Sequence, residues 1–199
     1  MGRQKETKGA GMRLNLAQRF GAKRIALMGI FVALAFCVSL LSFSIFPTSP
    51  VFFLELDFGN VFILLISFLL GPLEGVIVCV LKETLRIFAG STGGVGELAN
   101  MLMTSAYILL PSIVYQYKKG MKPVAISLAL ACPIGTVVAL LVNRFITFPL
   151  FLGEAGAQVF MEGFWLIVAF NLIKTVAIGV VTFLLYKRLS NFLKTIKLF

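Results

Sequence analysis

Four cations, Lys82, Arg86, Arg144 and Lys174, stand inside long apolar stretches of this 199-residue chain. Ionisable groups so placed are costly, and they ordinarily face a water-filled cavity or a partner. Asp57, Glu83, Glu97, Asn100, Asn143 and Asn171 border or interrupt the same stretches. Glu97 and Asn100 are three apart, as are Asn171 and Lys174, so each pair shares one face of a helix. Glu83 stands three residues before Arg86, a spacing at which the two can neutralise each other. Arg144 lies about 100° around a helix from Asn143 and is expected to reach toward headgroups. These side chains suit binding rather than bond-making. An amide offers donors and an acceptor without net charge, which matches a neutral, polyhydroxylated or dione-bearing ligand. Amide bridges that merely hold helices together are the alternative.

The residues that are missing narrow the chemistry. The chain has no histidine, hence no imidazole base, His-bound zinc or Ser-His-Asp triad. Cys37, Cys79 and Cys132 each sit alone in apolar runs, as packing residues do. No GxxxxGK[ST] loop occurs, so nucleotide energy would have to come from another subunit. The glycine stretch 90–96 lacks the Lys-Ser/Thr ending of a phosphate cradle. We read it as a tight connection whose backbone, at Gly96, lets a ligand approach the following helix.

The elements that must position these residues follow from composition. Hydrophobic residues make up 59% of the chain and charged residues 13%, whereas a soluble domain is about half apolar and about a quarter charged. The chain is therefore expected to be an all-α membrane protein. Apolar runs cover residues 25–46, 58–70, 73–89, 98–117, 123–148 and 160–186, predicting six transmembrane helices. The second run is the shortest and belongs to a tilted or extended span. Basic residues cluster before the first run, between the fourth and fifth, and after the sixth. Six spans place all three clusters on one side, which makes both termini cytoplasmic. The resulting division is a basic cytoplasmic arm (1–24), a six-helix substrate-binding domain (25–189) and a basic tail (190–199). The net charge of +10 is then a topology label, with the arm against anionic lipid and no role for nucleic acid. On the first span, Ala22, Ala26, Gly29 and Ala33 form a stripe of small residues. Such stripes permit close helix approach, either within the bundle or to another membrane subunit.

Several stretches carry a resemblance. Asp57-Phe-Gly, Gly71-Pro-Leu-Glu-Gly75, Ser91-Thr-Gly-Gly-Val-Gly-Glu-Leu-Ala-Asn100, Asn143 with Pro149-Leu, and Phe170-Asn-Leu-Ile-Lys174 together resemble the riboflavin-binding S components of energy-coupling factor (ECF) transporters. The resemblance implies a six-helix, multi-pass subunit of a bacterial cell membrane that captures a vitamin outside. Its implied partners are a transmembrane coupling subunit, two ATP-binding subunits and the lipid bilayer. Riboflavin would be the transported ligand, with no cofactor and no enzymatic activity. Asn143, Asn171 and Lys174 match family positions that contact the flavin; Glu97, Asn100 and Asp57 match motif positions near it. The stripe Ala22/Ala26/Gly29/Ala33 would meet the coupling subunit, and the loop 47–56 would cover the pocket. The chain departs from the family pattern at Asn60 and Arg144. A buried Lys174 is expected to need Glu97 or a ligand carbonyl beside it. Other readings are an S component for a different vitamin, or an autonomous ion-driven carrier working through Glu97 or Asp57. No inverted repeat or paired broken helices accompany that second reading.

Overall fold

The computed structural model describes residues 21–196 apart from Pro50, Phe52 and Ser91, with side chains through Arg188. The arm expected over 1–24 therefore lies mostly outside the described residues, as does the end of the tail. Helix α1 (Ala22–Ser39) leads into a hairpin of β1 (Phe43–Ser44) and β2 (Glu55–Leu56), paired Phe43 with Leu56 and Ser44 with Glu55. There follow α2 (Gly59–Leu70), α3 (Pro72–Ala89), α4 (Val95–Tyr117) and α5 (Met121–Val142). A π-helical turn, Asn143–Thr147, continues α5 into α6 (Phe148–Leu152). A 3₁₀ turn then precedes α7 (Gly156–Glu162), and the long α8 (Phe164–Ile196) ends the described chain.

The breaks between helices have local causes. Gly71 adopts φ +133°, which releases the chain from α2, and Pro72 then occupies the first turn of α3 without losing a needed donor. The Asp57 carboxylate accepts the Gly59 N–H at 2.7 Å and so caps α2. A Cβ at Gly59 would overlap the backbone oxygen of Ala35 on α1 and come within 2.9 Å of that carboxylate, so α2 can begin here only on glycine.

Helix α2 has 12 residues, ten of them buried, and it packs against α1, α3, α4 and α8. Its length of about 18 Å is short for a bilayer, but a helix sheathed by neighbours does not have to match the lipid by itself. Among the described residues, four segments are long and apolar enough to cross: Ala22–Ser39, Val95–Tyr117, Met121–Glu162 and Phe164–Arg188. The polarity of the bundle is inverted relative to a soluble protein. Ile30, Leu85, Phe88, Leu130, Val137, Val180 and Leu184 point outward, whereas Glu74, Lys82, Glu83 and Asn143 are buried. Apolar surface of that extent needs lipid around it, and the protein is an all-α membrane protein.

The two ends of the bundle differ. The hairpin, Asp57, Arg86 and the start of α4 share one end. At the other, the rings of Phe68, Tyr115 and Tyr186 pack mutually at 5.2–5.7 Å, and the Tyr186 and Tyr115 hydroxyls are 2.9 Å apart. Arg24 pairs there with the buried Glu74 at 3.7 Å.

Candidate substrate site

A cavity lined by polar and aromatic side chains opens at the hairpin end. Its lining is drawn from several elements. The hairpin supplies Phe53, Leu54 and Glu55, and the chain just before α2 supplies Asp57. The last turns of α3 supply Glu83 and Arg86; the start of α4 supplies Gly96, Glu97, Asn100 and Met103. The π-helical turn supplies Asn143 and Thr147, and α8 supplies Phe170, Asn171 and Lys174. Every residue singled out in the sequence for binding (Asp57, Gly96, Glu97, Asn100, Asn143, Asn171 and Lys174) therefore lines this one cavity.

The floor is a network of opposite charges. Lys82, fully buried, donates to Asp57, to Glu83 at 2.6 Å and to the Asn60 carbonyl at 3.4 Å. Asn100 bridges this group to α8. Its amide nitrogen donates to Glu83 at 2.5 Å, while its oxygen accepts from Lys174 at 2.8 Å and from Asn60 at 3.1 Å. Lys174 thus gives one ammonium proton to Asn100, and its head lies 5.8 Å from the Phe170 ring centre. An ammonium has three donors, so Lys174 can also address a ligand.

Two expectations are corrected here. Glu83 does not neutralise Arg86: Glu83 turns to Lys82 and Asn100, and Arg86 turns to Glu55 at 3.0 Å. The adjacent Lys82 and Asn100 of α4 take up Glu83, while the hairpin and the end of α1 take up Arg86, so neither group is left for the other. Glu97 is not the partner of Lys174; it accepts from the Thr92 hydroxyl. The Arg144 guanidinium lies 5.9 and 5.8 Å from the Phe145 and Phe160 ring centres. That placement is a cation–π arrangement. Sequence reasoning missed Phe53, Glu55 and Thr147 as lining residues. For Thr147 a signal existed, its four-residue spacing from Asn143.

Asn143 is the most telling side chain. It is fully buried, and neither its amide nitrogen nor its carbonyl oxygen has a hydrogen-bond partner. An unmade pair of bonds in such a place is expensive, and the π-helical turn that presents the side chain is a form often found at functional sites. Asn171, by contrast, donates to the Ile167 carbonyl at 2.8 Å. The start of α4 is also specialised: Gly94, at φ +90°, precedes the helix. A Cβ on Gly96 would stand 2.9 Å from the Thr92 hydroxyl that serves Glu97. Among the described residues, no cluster of three or more His, Cys, Asp or Glu could hold a metal ion.

A family model for the ECF transporter, substrate-specific component, matches residues 23–186. The chain belongs to this family. The S component is similar to the riboflavin transporter RibU of Staphylococcus aureus (strain TCH60), with 33% identity over 192 residues, 92% of this chain and 97% of the relative. It is also similar to the riboflavin transporter FmnP of Bacillus subtilis (strain 168), with 27% identity over 183 residues, 86% of this chain and 94% of that relative. A solved structure of the S component of a bacterial ECF transporter superposes with a TM-score of 0.75 at 34% identity, covering 86% of this chain and 98% of that one. The S component is thus a transport subunit rather than an enzyme, a multi-pass protein of the bacterial cell membrane that works with an ECF module.

Proposed function

We propose that this S component captures riboflavin from outside the cell. A transmembrane coupling subunit and two ATPases then complete its import. Asn143, with its unpartnered buried amide, carries the reading: it lacks two hydrogen bonds that a dione or ribityl edge would supply. Asn171, Lys174, Asn100, Glu97, Asp57 and Gly96 surround the same ligand, while Phe53 and Phe170 flank its flat ring system. The similarity to the two riboflavin transporters supports the choice of vitamin. In this reading α1, α2, α3, α4, α5 and α8 supply the six spans, both termini are cytoplasmic, and the hairpin end faces outward. The basic arm over 1–24 and tail over 190–199 flank the binding domain over 25–189.

The purified protein is expected to quench riboflavin fluorescence on titration, and no quenching would remove the proposal. Asn143→Leu sharpens the test. Filling the site with a side chain of similar size relieves an unsatisfied amide, worth about 1–3 kcal/mol. The variant should therefore melt at or above the temperature of the parent, yet bind riboflavin at least about tenfold more weakly. A variant that loses stability and keeps its affinity would show that the amide serves the fold.

Ala22, Ala26, Gly29 and Ala33 are all exposed, and a Cβ at Gly29 would meet nothing within 4 Å. This favours docking of the stripe to the coupling subunit over packing inside the bundle. Gly29→Phe should leave flavin binding within about twofold, because it touches no lining residue, and should abolish ATP-dependent uptake in vesicles containing the whole transporter. Unimpaired uptake would place the docking face elsewhere.

A further inference from the structure

Arg86 is absent from the binding set read from the sequence, yet it holds more of the chain together than any other cavity-lining cation. It lies in the last turn of α3, and the residue is only 9% exposed. One guanidinium nitrogen donates to the Ser39 carbonyl at the end of α1 and to the Ser42 hydroxyl at 2.9 Å. The other reaches the Glu55 carboxylate on β2 at 3.0 Å. Ser42 donates to that same carboxylate oxygen at 2.6 Å. A single planar group therefore clasps the entry and the exit of the hairpin to α3, a geometry for which arginine's rigid fork is suited.

The hairpin needs that support. Each strand has two residues, and so small a ladder is at best marginally stable by itself. Beyond the strands, the loop closes over the cavity by apolar contact. Phe53 packs on Phe148 and Phe151, with ring centres at 5.2 and 4.9 Å. Val51 is fully buried, and a Cβ on Gly163 would lie 3.0 Å from it. The loop thus has a polar anchor at its base and an apolar catch at its tip.

We infer that Arg86 is a positioning residue whose clasp on Glu55 and Ser42 sets how often the 42–55 loop opens. Every hydrogen bond of the clasp is made between groups of the protein itself. Loosening it destabilises the closed loop equally in the empty and filled protein. Entry and exit then accelerate together while affinity stays nearly constant. The inference rests on the flavin-capture reading only for what passes beneath the loop.

The test uses the full chain in nanodiscs with Cys37 and Cys132 replaced by serine and Val51→Cys as a reporter, reachable by a water-soluble maleimide only when the loop opens. Arg86→Met should raise the labelling rate at least about tenfold, since it removes hydrogen bonds to a charged group. Glu55→Ala should do the same, and the double variant should label no faster than the quicker single one. Stopped-flow mixing with riboflavin should show association and dissociation rates rising by similar factors. Unchanged labelling in folded Arg86→Met protein overturns the latch. So does a slower dissociation, or a faster dissociation with an unaltered association rate, which would make Arg86 a direct ligand contact. Should Arg86→Met fail to fold, Glu55→Ala carries the same criteria. Labelling requires no ligand, so a failure to bind riboflavin would strike the flavin reading and leave the latch tested.

Discussion

Lys174→Met is expected to weaken riboflavin binding by roughly a hundredfold, the scale for removing one member of a buried hydrogen-bonded charge arrangement. Two losses combine. The ligand loses a charged donor, and Asn100 loses the partner that fixes its oxygen at 2.8 Å. Asn100 also holds Glu83 at 2.5 Å, so its amide is expected to turn when Lys174 is shortened. Lys174→Gln should fall between parent and Met variant, because an amide can still donate to Asn100. Fluorescence quenching gives the affinities and thermal denaturation shows whether each variant is folded. Equal affinities across the series, with all three proteins folded, would remove Lys174 from the binding set.

Lys82 should behave in the opposite manner, with its main effect on stability. It is fully buried and lies below the cavity, between Asp57 and Glu83. Lys82→Met strands two buried carboxylates, and breaking a buried pair in this way costs about 3–5 kcal/mol. A large drop in melting temperature in detergent is the expected reading. Neutralising the stranded groups should restore much of it. The triple variant Lys82→Met, Asp57→Asn, Glu83→Gln is predicted to recover more than half the loss, because apolar or neutral replacements of a whole buried pair are often tolerated. If the single variant melts with the parent, the network is not holding α2, α3 and α4 together.

The apolar runs mark most of the helices well. The predicted 58–70 and 73–89 fall within a residue of α2 and α3, since Asp57, Gly71 and Pro72 are local stop signals with local causes. The first run extends past the true end of α1 at Ser39. Hydropathy cannot distinguish an apolar helix from the apolar hairpin that follows. The last run merges α7 with the start of α8, which Gly163 separates. Most of the polar residues that line the cavity were legible because polar residues in apolar runs are conspicuous. Their partners were not. Glu83 has Arg86 three residues away and Lys82 beside it, and only the positions of Asp57 and Asn100 on other segments decide which bonds form. The π-helical turn at Asn143–Thr147 was equally invisible, because it depends on how α5 continues into α6 and on the close approach of Gly156 to Phe148.

The matching of charges around the cavity also bears on the electrical behaviour of the protein. Lys82 stands against Asp57, Arg86 against Glu55, and Lys174 against Glu83 through Asn100. Carrying one elementary charge through 100 mV changes the energy by about 2.3 kcal/mol. Three cations moving alone would therefore make any reorientation of this end of the bundle strongly dependent on voltage. Moving with their carboxylates, they form a set of short dipoles, on which a transmembrane field has little to pull.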